Sequence, residues 1–319
     1  MLILDDIQFL YRQRESLLYP DYLKYLLRHI HQLQYQDGKF ITNFCTHLKE
    51  QISSYAKSQS PVYKNYRKII NKNNLQIKKN WYVNGWTAAK AQTGGSTTGK
   101  RFHYLRWADV YLAIEGNNHY RSILQEFNLE RPIHVLYLML DQIDDRQNDI
   151  FTRVYNTQNI LISHGMRNSS TIHDVVKGRL YYNDYFGWYE KLLKYTSDHD
   201  IDVILAPGWI ITAIVWNIKR LNHTSSICKL LSNTGSQVSK EDLNFLMKNG
   251  NIENWCDHMR CWDGGITFFT CHHHTTHLLD GLAWASTDHK DRLISYDFYS
   301  LPSPFVNYWN GDYATINNE

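Results

Sequence analysis

The chain has 319 residues, 43% of them hydrophobic and 20% charged, which excludes a disordered polypeptide and suits one large domain or two modest ones. Lys and Arg number 34 against 31 Asp and Glu, and a net charge of +3 does not force a nucleic-acid partner. Aromatic residues reach 14%, a composition that suggests clefts and pockets more than a coiled coil.

The N-terminal MLILDDIQFL places Asp5 and Asp6 too early to supply the apolar core of a signal peptide. The longest uncharged apolar stretch runs from Val203 to Trp216, short of the roughly 20 residues a bilayer helix needs. A soluble, cytoplasmic chain with no membrane contact is therefore expected. After Pro20 and Asp21, Leu23, Leu26, Leu27, Ile30 and Leu33 recur at helical spacing. Phe40, Phe44, Leu48 and Ile52 step by four and predict a second amphipathic helix after the Asp37-Gly38 turn. Between Gln51 and Ala108 there is no acidic residue but there are eleven basic ones, interleaved with Tyr55, Tyr63, Tyr66, Trp81, Tyr82 and Trp86. This basic stretch, residues 57–106, could face a nucleic acid or simply surround an ATP site. Asp109 can cap a further helix. Ile133–Leu138, Ile160–Ile162 and Val203–Leu205 read as buried strands, and Tyr185–Tyr195 as a helix. Ser239 and Asp242 make a capping-box-like start for a helix that ends at Gly250. The alternation of strands and helices from about residue 90 to 260 predicts an α/β domain, with no internal repeat.

Chemistry concentrates in a few segments. Thr93-Gly94-Gly95-Ser96-Thr97-Thr98-Gly99-Lys100 combines glycines, hydroxyls and a lysine, the residues that let a backbone approach and hold a phosphate. It is not a Walker A loop, because Arg101 stands where a Ser or Thr would hold magnesium. Residues 256–277 contain Cys256, His258, Cys261, Cys271, His272, His273, His274 and His277, the ligand types that zinc prefers. Their spacing matches no standard finger, and a buried Cys cluster beside a polar His-rich turn is the other reading. His164 follows a predicted strand end, where it can line an acyl pocket, act as a base, or hold a structural hydrogen bond.

Four segments in order carry a family resemblance. TGGSTTGKRF resembles the phosphate loop T-[SG]-G-[ST]-T-G-K-P of adenylate-forming enzymes. SPVYKNY (Ser60–Tyr66), DVILAPGWIITAI (Asp202–Ile214) and FVNYWNGDYATI (Phe305–Ile316) resemble S-P-F-Y-R, P-D-V-L-x-x-x-P-S-x-L-x-x-L and P-L-I-R-Y-R-T-G-D-L of its phenylacetate–CoA ligase-like branch. The resemblance implies an α/β large domain of mixed sheets flanked by helices over residues 56–319, preceded by a helical segment over residues 1–55. The family continues into a small lid domain bearing a lysine that promotes adenylation. This chain stops at Glu319, seven residues beyond Asp312, so no C-terminal lid is expected.

By the same resemblance Thr93, Gly95, Ser96, Thr97, Thr98 and Lys100 would hold the ATP polyphosphate, and Asp312 the ribose hydroxyls. Gly235, Ser236 and Gln237 would pass beside the adenine. Asp263, in Met259-Arg260-Cys261-Trp262-Asp263-Gly264-Gly265, stands where the family places a Mg²⁺-binding Glu. Cys271 followed by His277 is similar to the E-C…G-x-H of the branch, some members of which bind a structural metal, so Cys256, Cys261, Cys271 and His277 are the expected zinc set. The implied reaction joins ATP and a carboxylic acid into an acyl-adenylate, and a thiol, amine or hydroxyl then takes the acyl group. This chain or a partner would complete that second half-reaction; a descendant that only binds nucleotide or nucleic acid is the alternative.

Overall fold

The computed structural model describes residues 36–64, 69–76, 82–83, 89–92, 103–106, 126–129, 134–138, 159–162, 183–260, 264–278, 283–298 and 300–316. The helix expected over 23–33 lies outside the described residues, as does nearly all of the one expected after Asp109. In chain order the elements are α1 (Gly38–Gln59), β1 (Ile70–Asn71), α2 (Lys72–Gln76), β2 (Ala89–Gln92), β3 (His103–Arg106), β4 (His134–Tyr137), β5 (Asn159–Ile162), α3 (Asn183–Asp198), β6 (Val203–Pro207) and α4 (Gly208–Leu221). There follow β7 (Cys228–Thr234), α5 (Lys240–Lys248), β8 (Ile252–Arg260), β9 (Thr267–Thr270), β10 (Thr276–Leu278), β11 (Ala283–Thr287), β12 (Arg292–Asp297) and β13 (Tyr308–Tyr313). Two compact units divide the chain: one takes in Met1–Asn118, Arg260–Thr267 and Leu278–Glu319, the other His119–Met259 and Phe268–His277.

In the first unit, α1 begins because Asp37 stands in extended backbone and its carboxylate accepts the Phe40 N–H at 2.8 Å. Phe44, Leu48, Ile52 and Ala56 bury one face of that helix against β11 and β12. It stops at Gln59 because Ser60 precedes Pro61 and is held extended at φ −106°. The sheet it covers has the order β1-β13-β12-β11, with β1 parallel to β13 and the other pairs antiparallel. Tyr63 is buried; its hydroxyl donates to the Pro304 carbonyl at 2.5 Å and accepts the Val306 N–H at 3.3 Å. Through Val306, Tyr63 thus ties the first of the resembling segments to the last, and Ile70 just beyond pairs with Tyr308. A separate antiparallel pair, β2 and β3, sets Gln92 opposite His103 and is linked by the Gly-rich segment.

The second unit is built on a seven-stranded sheet of order β10-β9-β8-β7-β6-β4-β5, in which β5, β4, β6, β7 and β8 are parallel. β6 is buried at all five positions, the pattern of a central parallel strand covered on both faces. α4 follows β6 directly, starting after Pro207 at φ −69° and ending at Asn222, which takes the left-handed conformation at φ 51°. It buries Ile210, Ile211, Ile214, Val215 and Ile218, each worth about 1.5–3 kcal/mol of transfer free energy. α5 starts at Ser239, whose hydroxyl accepts the Asp242 N–H at 3.0 Å, as the capping pattern predicts. Mixed sheets flanked by helices match the α/β expectation. Among the described residues no helix is long and apolar enough to cross a membrane.

Candidate functional site

In the second unit, the chain leaves β4 for β5 on one side and returns to β6 on the other. In parallel sheets ligands sit outside the carboxyl ends of the strands near such a reversal. Three of those ends are in register: Pro207 lies opposite Thr234, and Thr234 opposite His258. Gly235 turns the chain out of β7 at φ +81°, a conformation that suits a residue without Cβ. The segment it opens presses against the start of α4. A Cβ on Gly208 would stand 2.5 Å from the Ser236 carbonyl oxygen and 2.7 Å from that of Gln237, closer than backbone permits. The Trp209 N–H donates to Ser236 Oγ at 3.3 Å. Asn233 fixes the same loop from beneath, its Nδ2 donating to the Ser236 carbonyl at 2.8 Å and to Asp257 Oδ1 at 2.6 Å. Burial raises the Asp257 carboxyl above its usual range, against the Asn233 hydrogen bond, which lowers it. Gly235, Ser236 and Gln237 thus lie together at the strand ends, with the Asn233–Asp257 pair beside them. The sequence reading missed that pair. Its signal was Asp257 directly after the buried Cys256, and so on the opposite face of a strand.

In the first unit, Asp312 sits on an irregularity of β13. Trp309 opposes Ile294 and Tyr313 opposes Arg292, so Asn310, Gly311 and Asp312 together face the single Leu293. Gly311 takes φ +115° with open space around it, which lets the strand bulge there. The bulge is held by its own side chains. The Asp312 N–H donates to Asn310 Oδ1 at 3.0 Å, Asn310 Nδ2 donates to Asp312 Oδ2 at 2.5 Å, and Trp309 Nε1 donates to the Asp312 carbonyl at 2.9 Å. Arg292 stands over the Trp309 ring at 5.3 Å and forks onto Asp288 Oδ2, with Nε at 2.9 Å and one terminal nitrogen at 2.5 Å. Those contacts hold the Asp288 carboxyl well below its usual range. Nearby, Gly265 abuts the buried Asp297 carboxylate, where a Cβ would meet Oδ2 at 2.6 Å. The loop following Asp263 is thereby seated on β12.

Thr93, Gly95, Ser96, Thr97, Thr98, Lys100, His164, Cys261 and Asp263 lie outside the described residues. Of the expected zinc set, Cys256, Cys271 and His277 are among the described residues and Cys261 is not. Among the described residues, no three His, Cys, Asp or Glu side chains form a group that could hold a metal. Cys256 is buried in β8, and burial pushes its thiol up to about 12. Cys271 and His277 contact each other, with Nε2 to Sγ at 3.3 Å. His272 pairs with Glu126, and His274 stacks on Trp255 at 5.4 Å. His258 is 4% exposed, and burial lowers its imidazole to about 3, so it is a neutral core residue of the sheet. Cys256 and Cys271 are thus buried, while His272, His273, His274 and His277 are exposed.

No protein-family model matches the sequence, and no curated protein matches it. The fold, however, has close counterparts: it is that of the N-terminal large domain of adenylate-forming acyl-CoA ligases. The structure is similar to 2-hydroxyisobutyryl-CoA ligase in an open conformation with 2-HIB-AMP and CoA, at a TM-score of 0.59 and 7% identity over 83% of this chain and 67% of that one. The same ligase in its postadenylation state with R3-HIB-AMP gives 0.57 and 7%, covering 85% and 63%. Its complex with 2-HIB-AMP and CoA in the thioesterification state gives 0.56 and 7%, covering 87% and 64%. The chain therefore spans about two thirds of the length of that ligase, and the likeness is one of fold.

Proposed function

We propose that this chain activates a carboxylic acid with ATP through an acyl-adenylate. The observation that carries the reading is the shared fold with a ligase whose complexes hold an acyl-AMP. Two local features support it: a glycine-dependent backbone approach at the strand ends, where Gly235–Gln237 run, and a carboxylate set on a bulge at Asp312.

In the first step a carboxylate oxygen attacks the α-phosphorus, and the bond to the β-phosphate oxygen breaks. Pyrophosphate leaves with that electron pair. Thr93, Gly95, Ser96, Thr97, Thr98 and Lys100 would neutralise the charge that grows on the phosphates, the effect that usually dominates such transfers. Mg²⁺ enters with the nucleotide as part of the substrate, and Asp263 offers it a hard oxygen. The backbone of Gly235, Ser236 and Gln237 would flank the adenine, with Asp257 as an acceptor for its exocyclic amine. Asp312 would take the ribose hydroxyls. In the second step an acceptor attacks the carbonyl and AMP leaves with the bridging oxygen; a thiol is the acceptor favoured by the CoA-bound neighbour. His164 is assigned to the acyl pocket, or to the base that takes the acceptor proton. The basic stretch from 57 to 106 is accounted for by the polyphosphate it surrounds.

Trapping tests the reading. With ATP, hydroxylamine and a panel of carboxylic acids, at least one acid should yield its hydroxamate together with AMP. Release of ADP instead would contradict an adenylate route. Saturable ATP binding with no product from any acid would favour a protein that only binds the nucleotide.

A further inference from the structure

We infer that Asn310 is a positioning residue, orienting the Asp312 carboxylate for a ribose diol; this rests on the nucleotide reading above. A carboxylate on a strand edge ordinarily turns freely about two side-chain bonds. Asp312 does not, because one side-chain amide grips it at both ends. Asn310 Oδ1 accepts the Asp312 N–H at 3.0 Å, and Asn310 Nδ2 donates to Oδ2 at 2.5 Å. The backbone dihedrals on one side and the carboxylate on the other are thereby tied to the same rigid amide plane. A third contact closes the bulge, from Trp309 Nε1 to the Asp312 carbonyl at 2.9 Å. Trp309 in turn lies under Arg292, which is locked to Asp288.

A carboxylate has about four lone-pair positions, and a vicinal diol uses two of them. Taking two adjacent hydroxyls at once requires the carboxylate plane to be set before the sugar arrives. Otherwise binding must freeze it, and part of the interaction free energy is lost to ordering. Asn310 does that setting in the folded protein. Gly311 supplies the positive φ that lets residues 310 and 312 approach each other across the bulge.

The test compares binding of ATP and 2′-deoxy-ATP by the full chain, by Asn310→Ala and by Asn310→Ser, with thermal unfolding measured in parallel. The parent should prefer ATP, and Asn310→Ala should narrow that preference about threefold to tenfold, the loss expected for one ordinary hydrogen bond. Asn310→Ser should fall between the two, because a hydroxyl replaces the amide contacts more weakly. If Asn310→Ala keeps the parent preference, or weakens both nucleotides equally in step with a lower melting temperature, the inference is overturned while the ATP reading stands. A parent that binds ATP without preferring it over the deoxy form removes Asp312 from the ribose and the inference with it. A parent that binds neither nucleotide overturns the nucleotide reading itself.

Discussion

At Asp312 a carboxylate that accepts two ribose hydroxyls should discriminate ribose from deoxyribose, since a missing hydroxyl leaves an acceptor unpaired at a cost of about 1–3 kcal/mol. Asp312→Ala should therefore weaken ATP binding and bring the two nucleotides to nearly equal affinity in a calorimetric titration. Binding of both nucleotides unchanged from the parent would make Asp312 a turn residue of the bulge. His258 makes a different prediction, about pH. Its folded imidazole is lowered to about 3 by burial, below the usual value of about 6.5. The unfolded chain therefore takes up a proton that the folded one refuses. Stability from this group is present above about pH 6.5 and is lost as the pH falls toward 3, at a limiting slope of about 1.4 kcal/mol per pH unit. Denaturant unfolding between pH 7 and pH 5 should show the parent losing about 2 kcal/mol more than His258→Gln. Equal losses in both proteins would assign the acid sensitivity to other groups.

At the scale of elements, the junction of β6 and α4 depends on a missing Cβ. Gly208→Ala would place a methyl group 2.5 Å from the Ser236 carbonyl oxygen, so the loop or the helix start must move. A cost of about 1–3 kcal/mol is expected for such overpacking, together with weaker ATP binding if the loop flanks the adenine. An unchanged melting temperature would show that the junction is slack. This contact also marks the limit of what the sequence displays. Asp37 and Ser239 announced their helices, because caps act through immediate neighbours. Val203–Leu205 was legible as a buried strand from its unbroken apolar run. β8 was not, because its inward positions include Cys256 and His258, side chains that read as metal ligands although they pack as core. The pairing of Asn233 with Asp257, and the bulge at Asn310–Asp312, depend on which strand lies alongside, and no local pattern encodes a partner 24 residues away.

For the whole molecule, fold and function rest on different supports. The likeness to the ligase structures persists at 7% identity, which is what conservation of core shape without conservation of residues looks like. The proposed chemistry falls to few positions: the Gly-rich segment between β2 and β3, the strand-end loop after β7, and the bulge of β13. Lys100→Ala probes the first of these, and removing its charge-assisted contact should cost about 1.5–3 kcal/mol of ATP affinity. The adenylation half-reaction can be observed without knowing the acceptor, because it is reversible. In an exchange experiment with ATP, Mg²⁺, labelled pyrophosphate and one carboxylic acid at a time, label should enter ATP only when a cognate acid is present, and Lys100→Ala should suppress that incorporation. Absence of label with every acid, from protein that binds ATP, would contradict the claim that this chain forms an acyl-adenylate.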